Sequence, residues 1–293
     1  MNSDKYQAIV SRVFPGAVLS SVERLQGGVS AEVLRINLGS ANGNTSSVVL
    51  RLHGSSYTGH TAALEHRLLQ LLHESDVPVP RPLFVDPDGS LVGDPFILIE
   101  FIEGSSSIPQ DQAGYCIDQM AAKLAAIHDL PTLELPELPL RTDPLTELDQ
   151  FLPGGHQWAR LTAYLDSRED TKYLGEPRLL HGDFWPGNLI WKDRSIAAIL
   201  DWEDAALGDP LSDVACTQLE LRYKFGQQSM ADFANCYALR RAIDPDRLAL
   251  WQIYVAAAAQ RFMGNWGLEP ELEAHMRSEA LNTIREAGDK LMA

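Results

Sequence analysis

The chain has 293 residues, 45% of them hydrophobic and 22% charged, a balance that supports one sizeable core or two modest ones and excludes a mainly disordered polymer. Its 24 Lys and Arg against 40 Asp and Glu give a formal charge of -16, a field that repels nucleic acid and anionic membrane surfaces and mildly favours cationic small molecules. The three cysteines, Cys116, Cys216 and Cys236, are far apart, odd in number and without paired spacing, so they read as reduced thiols of a cytoplasmic protein.

The start, MNSDKYQAIVSRVF, lacks the apolar run of a signal peptide and reads as an amphipathic helix capped by Ser3. No apolar stretch is long enough to span a bilayer; YVAAAA, from Tyr254 to Ala259, is far too short. VLSSVERLQGG and AEVLRINLG alternate as strands do and are joined through Gly27 and Gly28, after which the polar SANGNTSS turns the chain into the β-branched run VVLRLH. These segments predict an antiparallel meander. HTAALEHRLLQLLHES carries Leu64, Leu68, Leu71 and Leu72 at helical spacing and stops before VPVPRP, and PFILIEFIEG reads as a buried strand ending at Gly104.

Beyond GSSSIPQ the pattern changes. DQAGYCIDQMAAKLAAIHDL predicts a long helix, LPTLELPELPLRTDP a proline-punctuated loop, and everything from Leu211 onward reads as helix. A sheet-rich lobe over 1–103 is therefore expected to precede a helix-rich lobe over 104–293, with short strands and loops around HGDFWPGN and ILDW inside the second.

Those two short segments carry the chemistry. In HGDFWPGN, Pro186 and Gly187 force a loop between Asp183 and Asn188, and SIAAIL is a short buried strand that delivers Asp201 at its end. Carboxylates beside bulky aromatic residues need partners, because desolvating an unpaired charge is expensive. An acid able to accept a proton, with an amide oxygen and a second carboxylate to hold a hard divalent cation, is the equipment of magnesium-dependent phosphoryl transfer.

HGDFWPGNLIW and ILDWEDAALGDPLSDVA together resemble the aminoglycoside phosphotransferase and choline kinase group of small-molecule kinases, which share the protein-kinase-like fold. The resemblance runs from Leu25 to about Gly226, and the Asp183–Asn188 spacing equals that of the kinase catalytic loop HRDxxxxN, with Gly182 in place of its arginine. It implies an α+β, two-lobed fold in which an N-terminal antiparallel-sheet lobe supplies the nucleotide site and a larger, mostly helical C-terminal lobe supplies catalysis and the acceptor site. Asp183 would orient and deprotonate the substrate hydroxyl, Asn188 and Asp201 would hold Mg2+, and ATP, with GTP as the alternative, would donate the phosphoryl group.

The resemblance extends to the first lobe. LQGGVSAEV, with Gly27, Gly28 and Ser30, is similar to the family's phosphate-covering loop, although a plain hairpin turn has the same letters. Arg51 in VVLRLH stands where protein kinases usually have lysine; it would contact the phosphates and pair with Glu65 in ALEHRLL. Glu100 and Ile102, in IEFIEG, fall on the hinge whose backbone would meet adenine. His181 is expected to brace the catalytic loop, His128 to be structural, and Asp209 and Asp213 to support the site.

The acceptor is left open by the sequence. Glu203, Asp204, Glu220, Trp251, Tyr254 and Trp266 offer acids and aromatic faces for a small-molecule hydroxyl acceptor, with cationic ones favoured. Aminoglycoside, macrolide, choline-like, homoserine-like and sugar acceptors all fit, and a catalytically silent nucleotide-binding module with Arg51 spoiling the phosphate geometry is the reading from a different class. Neither nucleic acid nor a membrane is expected as a partner, and the oligomeric state is not legible.

Overall fold

The computed structural model describes residues 3–25, 31–40, 45–54, 57, 59–146, 148–168 and 171–293. The chain divides into two compact units: the first comprises Met1–Gly104 with Glu134–Pro136 and Ala197–Glu203, the second Ser105–Leu133, Glu137–Ile196 and Asp204–Ala293. The sequence placed all of 104–293 in one lobe. The segment Ala197–Glu203 departs from that expectation because the Ile199 N–H donates to the Pro78 carbonyl at 2.8 Å and Asp201 and Glu203 accept from Arg51.

In the first unit, α1 (Ser3–Val13) is followed by β1 (Ala17–Arg24), β2 (Glu32–Ser40), β3 (Thr45–Leu52), α2 (Ala62–His73), β4 (Pro82–Asp86) and β5 (Phe96–Glu100). Helix α1 begins at Ser3, whose side chain, expected as the cap, lies outside the described residues. The strands form one antiparallel sheet in the order β1-β2-β3-β5-β4. Register brings Leu34 opposite Leu50, Ile36 opposite Val48 and Leu52 opposite Phe96, so alternate residues build one continuous apolar face. Tyr6, Ile9 and Val10 of α1, spaced for one helical stripe, belong to the same buried cluster. The odd-numbered β3 residue Arg51 points to the opposite face and meets Glu65 of α2, whose first turn is capped by the Thr61 hydroxyl accepting from the Leu64 N–H at 3.3 Å. Strand β4, which the sequence reading missed behind the prolines of VPVPRP, begins at the last of them on the sheet edge, where a missing N–H is tolerated.

The second unit begins with α3 (Ala113–His128), β6 (Leu140–Arg141), α4 (Leu148–Phe151), α5 (Ala159–Asp166) and β7 (Arg178–Leu180). Strand β8 (Leu189–Lys192) turns through Asp193 and Arg194, both at positive φ, into β9 (Ser195–Ile199), and β10 (Ala206–Gly208) joins β6 and β7 in a three-stranded sheet. Four helices complete the chain: α6 (Pro210–Phe225), α7 (Gln227–Ala238), α8 (Pro245–Phe262) and α9 (Pro270–Leu291). Helix α6 starts with Asp209 as cap and Pro210 in the first turn, where the absent N–H costs nothing. Leu161, Leu165, Leu219, Ile253, Ala256, Ala257, Ala280 and Ile284 form the main helical core, and the alanines of α8 let neighbouring backbones approach closely. No helix among the described residues is long and apolar enough to cross a membrane.

Candidate active site

In the second unit, β7 delivers the catalytic-loop segment. The His181 and Gly182 N–H groups donate to the two oxygens of Asp213 on α6, at 2.7 and 3.0 Å. Both Asp213 and His181 are fully buried. Burial works against a charge on Asp213, but the hydrogen bond from His128, with the His181 and Arg141 side chains nearby, outweighs it and holds its pKa below the ordinary carboxylate value. The His181 ring accepts from the Asp183 N–H through Nδ1 at 3.2 Å and packs edge-on against Phe184, and Thr217 of α6 donates its hydroxyl to the Phe184 carbonyl at 2.7 Å. The loop that presents Asp183 is thus tied at four successive backbone positions before the chain enters the short turn Pro186–Asn188.

Gly182 explains the departure from HRDxxxxN. Its φ is +88°, and a Cβ there would lie 2.6 Å from the carbonyl carbon of Asp204 and closer still to its oxygen, so no side chain fits where the kinase motif has arginine. Arg141, absent from the sequence reading, donates to the Gly182 carbonyl at 3.3 Å.

Asn188 is buried, and its amide nitrogen donates to both the backbone carbonyl and the carboxylate of Asp183, each at 2.9 Å. Both donors are consumed on one side, which leaves the amide oxygen as an acceptor for a cation. Among the described residues no group of three or more His, Cys, Asp or Glu side chains is arranged to hold a metal ion. The Asn188 amide oxygen and the Asp201 carboxylate, each within its own unit, are hard oxygen donors of the kind magnesium takes beside water and phosphate oxygens, so their chemistry is compatible with that ion.

In the first unit, β9 leads to Asp201, which adopts φ 63°, a left-handed conformation uncommon for a residue with a side chain. Arg51 is buried and donates through one terminal nitrogen to Asp201 at 2.7 Å and to Glu203, while its Nε lies 3.6 Å from Glu65. Burial alone would lower the Arg51 pKa; the carboxylates of Glu65, Asp201 and Glu203 reverse this and keep the guanidinium charged. His53 pairs with Glu65 at 3.1 Å and stacks on the Tyr57 ring at 4.0 Å. Three acids therefore converge on one cation. Glu203, expected in the acceptor site, is engaged by Arg51 within this unit.

The remaining expected residues distribute unevenly. Gly27, Gly28 and Ser30 lie outside the described residues. The Glu100 N–H is taken by the Arg81 carbonyl at 2.9 Å and is not available to a base, and Ile102 is half-buried beyond β5. Asp204 is exposed. Glu220, on the α6 face that carries Asp213 and Thr217, is half-buried, and burial together with the nearby Asp183 charge pushes its pKa up to about 8. Tyr254 is half-buried and edge-on to Trp251 and Phe151, and Trp266 packs on the helical core. Trp251 is corrected: it is 1% exposed and its indole N–H donates to Asp209, so its face belongs to the core. Asp209 also pairs with Arg247, which donates to the Thr171 and Thr142 carbonyls. Thr217 was missed, although its place four residues after Asp213 puts both on one helix face.

The sequence profile of the phosphotransferase enzyme family matches residues 21–251. Acyl-CoA dehydrogenase family member 10 of Mus musculus is 26% identical over 227 residues, which make up 66% of this chain but only 21% of that protein. A thermostable mutant of an aminoglycoside phosphotransferase, solved as a ternary complex with AMP-PNP and hygromycin B, superposes with a TM-score of 0.66 at 15% identity, covering 96% of this chain and 98% of its own. A choline/ethanolamine kinase family protein from Mesorhizobium loti superposes with a TM-score of 0.61 at 18% identity, covering 100% of this chain and 95% of its own. These likenesses agree with the sheet-then-helix architecture, and the profile match covers HGDFWPGN and ILDW: the chain belongs to the phosphotransferase enzyme family and has a kinase-like, α+β fold.

Proposed function

We propose that the protein transfers the γ-phosphoryl group of ATP, with magnesium, to a hydroxyl of a small molecule, with Asp183 as the acid that orients and deprotonates that hydroxyl. The observation that carries this reading is the tethering of Asp183: its backbone and its carboxylate are both held by Asn188, on a loop anchored to Asp213. A base held this rigidly contributes by positioning, because reacting atoms kept in near-attack geometry need little further ordering. Asn188 and Asp201 are assigned as the magnesium ligands by their place in the motif, and Arg51 as the cation for the nucleotide phosphates. Bound magnesium would neutralise charge on the phosphate oxygens.

The first unit supplies the nucleotide-facing residues in this reading, with Gly27, Gly28 and Ser30 as its phosphate-covering loop and Ile102 as its contact to adenine. Acceptor binding falls to the second unit, to Asp204, Glu220 and Tyr254. A second reading within the same chemistry is a metabolic kinase for choline, homoserine or a related amine. Glu220 beside Asp183 favours it, since a cationic acceptor would offset the burial and the Asp183 repulsion that keep Glu220 protonated and would draw it into its charged form. ADP release measured over a panel of aminoglycosides, macrolides, amino alcohols and sugars, with ATP and with GTP, tests both readings: turnover confined to amino alcohols selects the second, and none with any acceptor or nucleotide defeats both.

A further inference from the structure

The charge on Asp213 is fixed from two helices outside the catalytic motif. His128, at the end of α3, is fully buried, and its Nε2 lies 3.2 Å from Asp213 Oδ2, while its Nδ1 lies 2.7 Å from the hydroxyl of Tyr237 on α7, also fully buried. An ionised carboxylate can only accept, so Nε2–H is the donor to Asp213, and in the neutral imidazole Nδ1 then accepts from the Tyr237 hydroxyl. Burial raises the Tyr237 pKa, against the opposing influence of Arg241, so the hydroxyl keeps its proton and its role as donor. The chain of donors thus has one direction: Tyr237 to His128, His128 to Asp213, with Asp213 accepting in addition from the His181 and Gly182 N–H groups.

We propose that Tyr237 and His128 are positioning residues for phosphoryl transfer, a buried relay that orients Asp213 so that it clamps the two backbone N–H groups preceding Asp183. The claim rests on the assignment of Asp183 as the acceptor-orienting acid. Asp213 has two oxygens and three donors: Oδ1 serves Gly182, and Oδ2 serves both His181 and His128. Turning the carboxylate to follow a displaced His128 would lengthen the bond to the His181 N–H, one residue before Gly182 and two before Asp183. The Tyr237 hydroxyl in turn fixes which nitrogen of His128 carries the proton, as partners of the distal nitrogen do in other buried histidines. Low dielectric around all three groups strengthens each bond and makes the loss of any one felt along the chain.

The test compares Tyr237→Phe, His128→Gln, the double variant and Ile117→Val, a change that loosens α3 at a buried position without touching the relay. Turnover and KM are measured on the acceptor that the wild type phosphorylates, and hydrogen exchange is followed at the His181 and Gly182 N–H groups. Tyr237→Phe is expected to lower kcat by about fivefold to tenfold, the value of one buried neutral hydrogen bond, with nucleotide KM changed less than about twofold. His128→Gln should lower kcat further, the double variant should match His128→Gln alone, and exchange at both N–H groups should quicken. Unchanged kcat in Tyr237→Phe, multiplying effects in the double variant, or an equal kcat loss in Ile117→Val would each overturn the relay. A wild type without phosphoryl transfer would instead defeat the proposed function, and the exchange measurement would still decide the relay.

Discussion

Replacing Gly182 by alanine tests the geometry of the catalytic loop more directly than replacing any of its polar residues. Two separate penalties act at this position. A φ of +88° is left-handed, which costs about 1–2 kcal/mol for a residue with a Cβ, and the Cβ would overlap the Asp204 carbonyl, a backbone group that must shift at about 1–3 kcal/mol. The sum, about 2–5 kcal/mol, is a large part of the roughly 5–15 kcal/mol that holds a domain folded. Gly16→Ala is the matched control, because Gly16 shares the φ of +88° with open space around its would-be Cβ, so only the first penalty applies. Urea unfolding of both variants at constant m-value should give about 1–2 kcal/mol for Gly16→Ala and at least about 1 kcal/mol more for Gly182→Ala. Because Asp183 is the next residue, kcat should fall in Gly182→Ala alone. Equal losses in the two variants would refute the reasoning, as would a well-folded, active Gly182→Arg enzyme, in which the kinase arginine is restored.

Asp213→Ala removes the acceptor of three buried hydrogen bonds and should cost about 3–5 kcal/mol by urea unfolding; a loss under about 1 kcal/mol would contradict the anchoring role. Glu220 holds a proton in the folded protein up to about pH 8, through burial and then Asp183, whereas the unfolded chain releases it near the ordinary value of 4.5. Stability is therefore lost as pH rises from that value through about 8, and Glu220→Gln should match wild-type Tm below it and exceed wild type increasingly toward pH 8; a pH-independent difference would count against the raised pKa. Arg51→Lys replaces a fork that meets Glu65, Asp201 and Glu203 by a single ammonium, so nucleotide KM should rise about tenfold, and a gain in turnover would favour the silent-module reading.

The candidate residues could be named from the sequence because they lie in two short segments. Pro186 and Gly187 force the loop between Asp183 and Asn188, while the hydrogen bond by which Asn188 holds Asp183 was not foreseen. Arg51 was placed by the resemblance, from its position where protein kinases usually have lysine, and the period-two alternation of β3 sets it on the face opposite Leu50 and Leu52. The relay under the loop was not legible: His128 and Tyr237 are separated from one another by 109 residues, and nothing in either helix distinguishes a hydrogen-bonded core histidine or tyrosine from an ordinary one. Trp251 was misread for a related reason, since an indole in a helix combines a large apolar face with one N–H, and only the position of Asp209 reveals that the N–H is used internally. The strand leading to Asp201 looked like part of the helical lobe by chain order, whereas its hydrogen bond to Pro78 ties its end to the sheet unit.

The central claim is that Asp183 performs the chemistry while Asp201 serves the magnesium nucleotide, and calorimetric titration of ATP with and without magnesium, paired with turnover, tests it on wild type, Asp183→Ala and Asp201→Ala. The account predicts magnesium-dependent binding by wild type, nearly unchanged binding with turnover lowered by about 10²–10⁴-fold in Asp183→Ala, and weakened binding in Asp201→Ala. Wild-type turnover retained by Asp183→Ala on the same acceptor would contradict it.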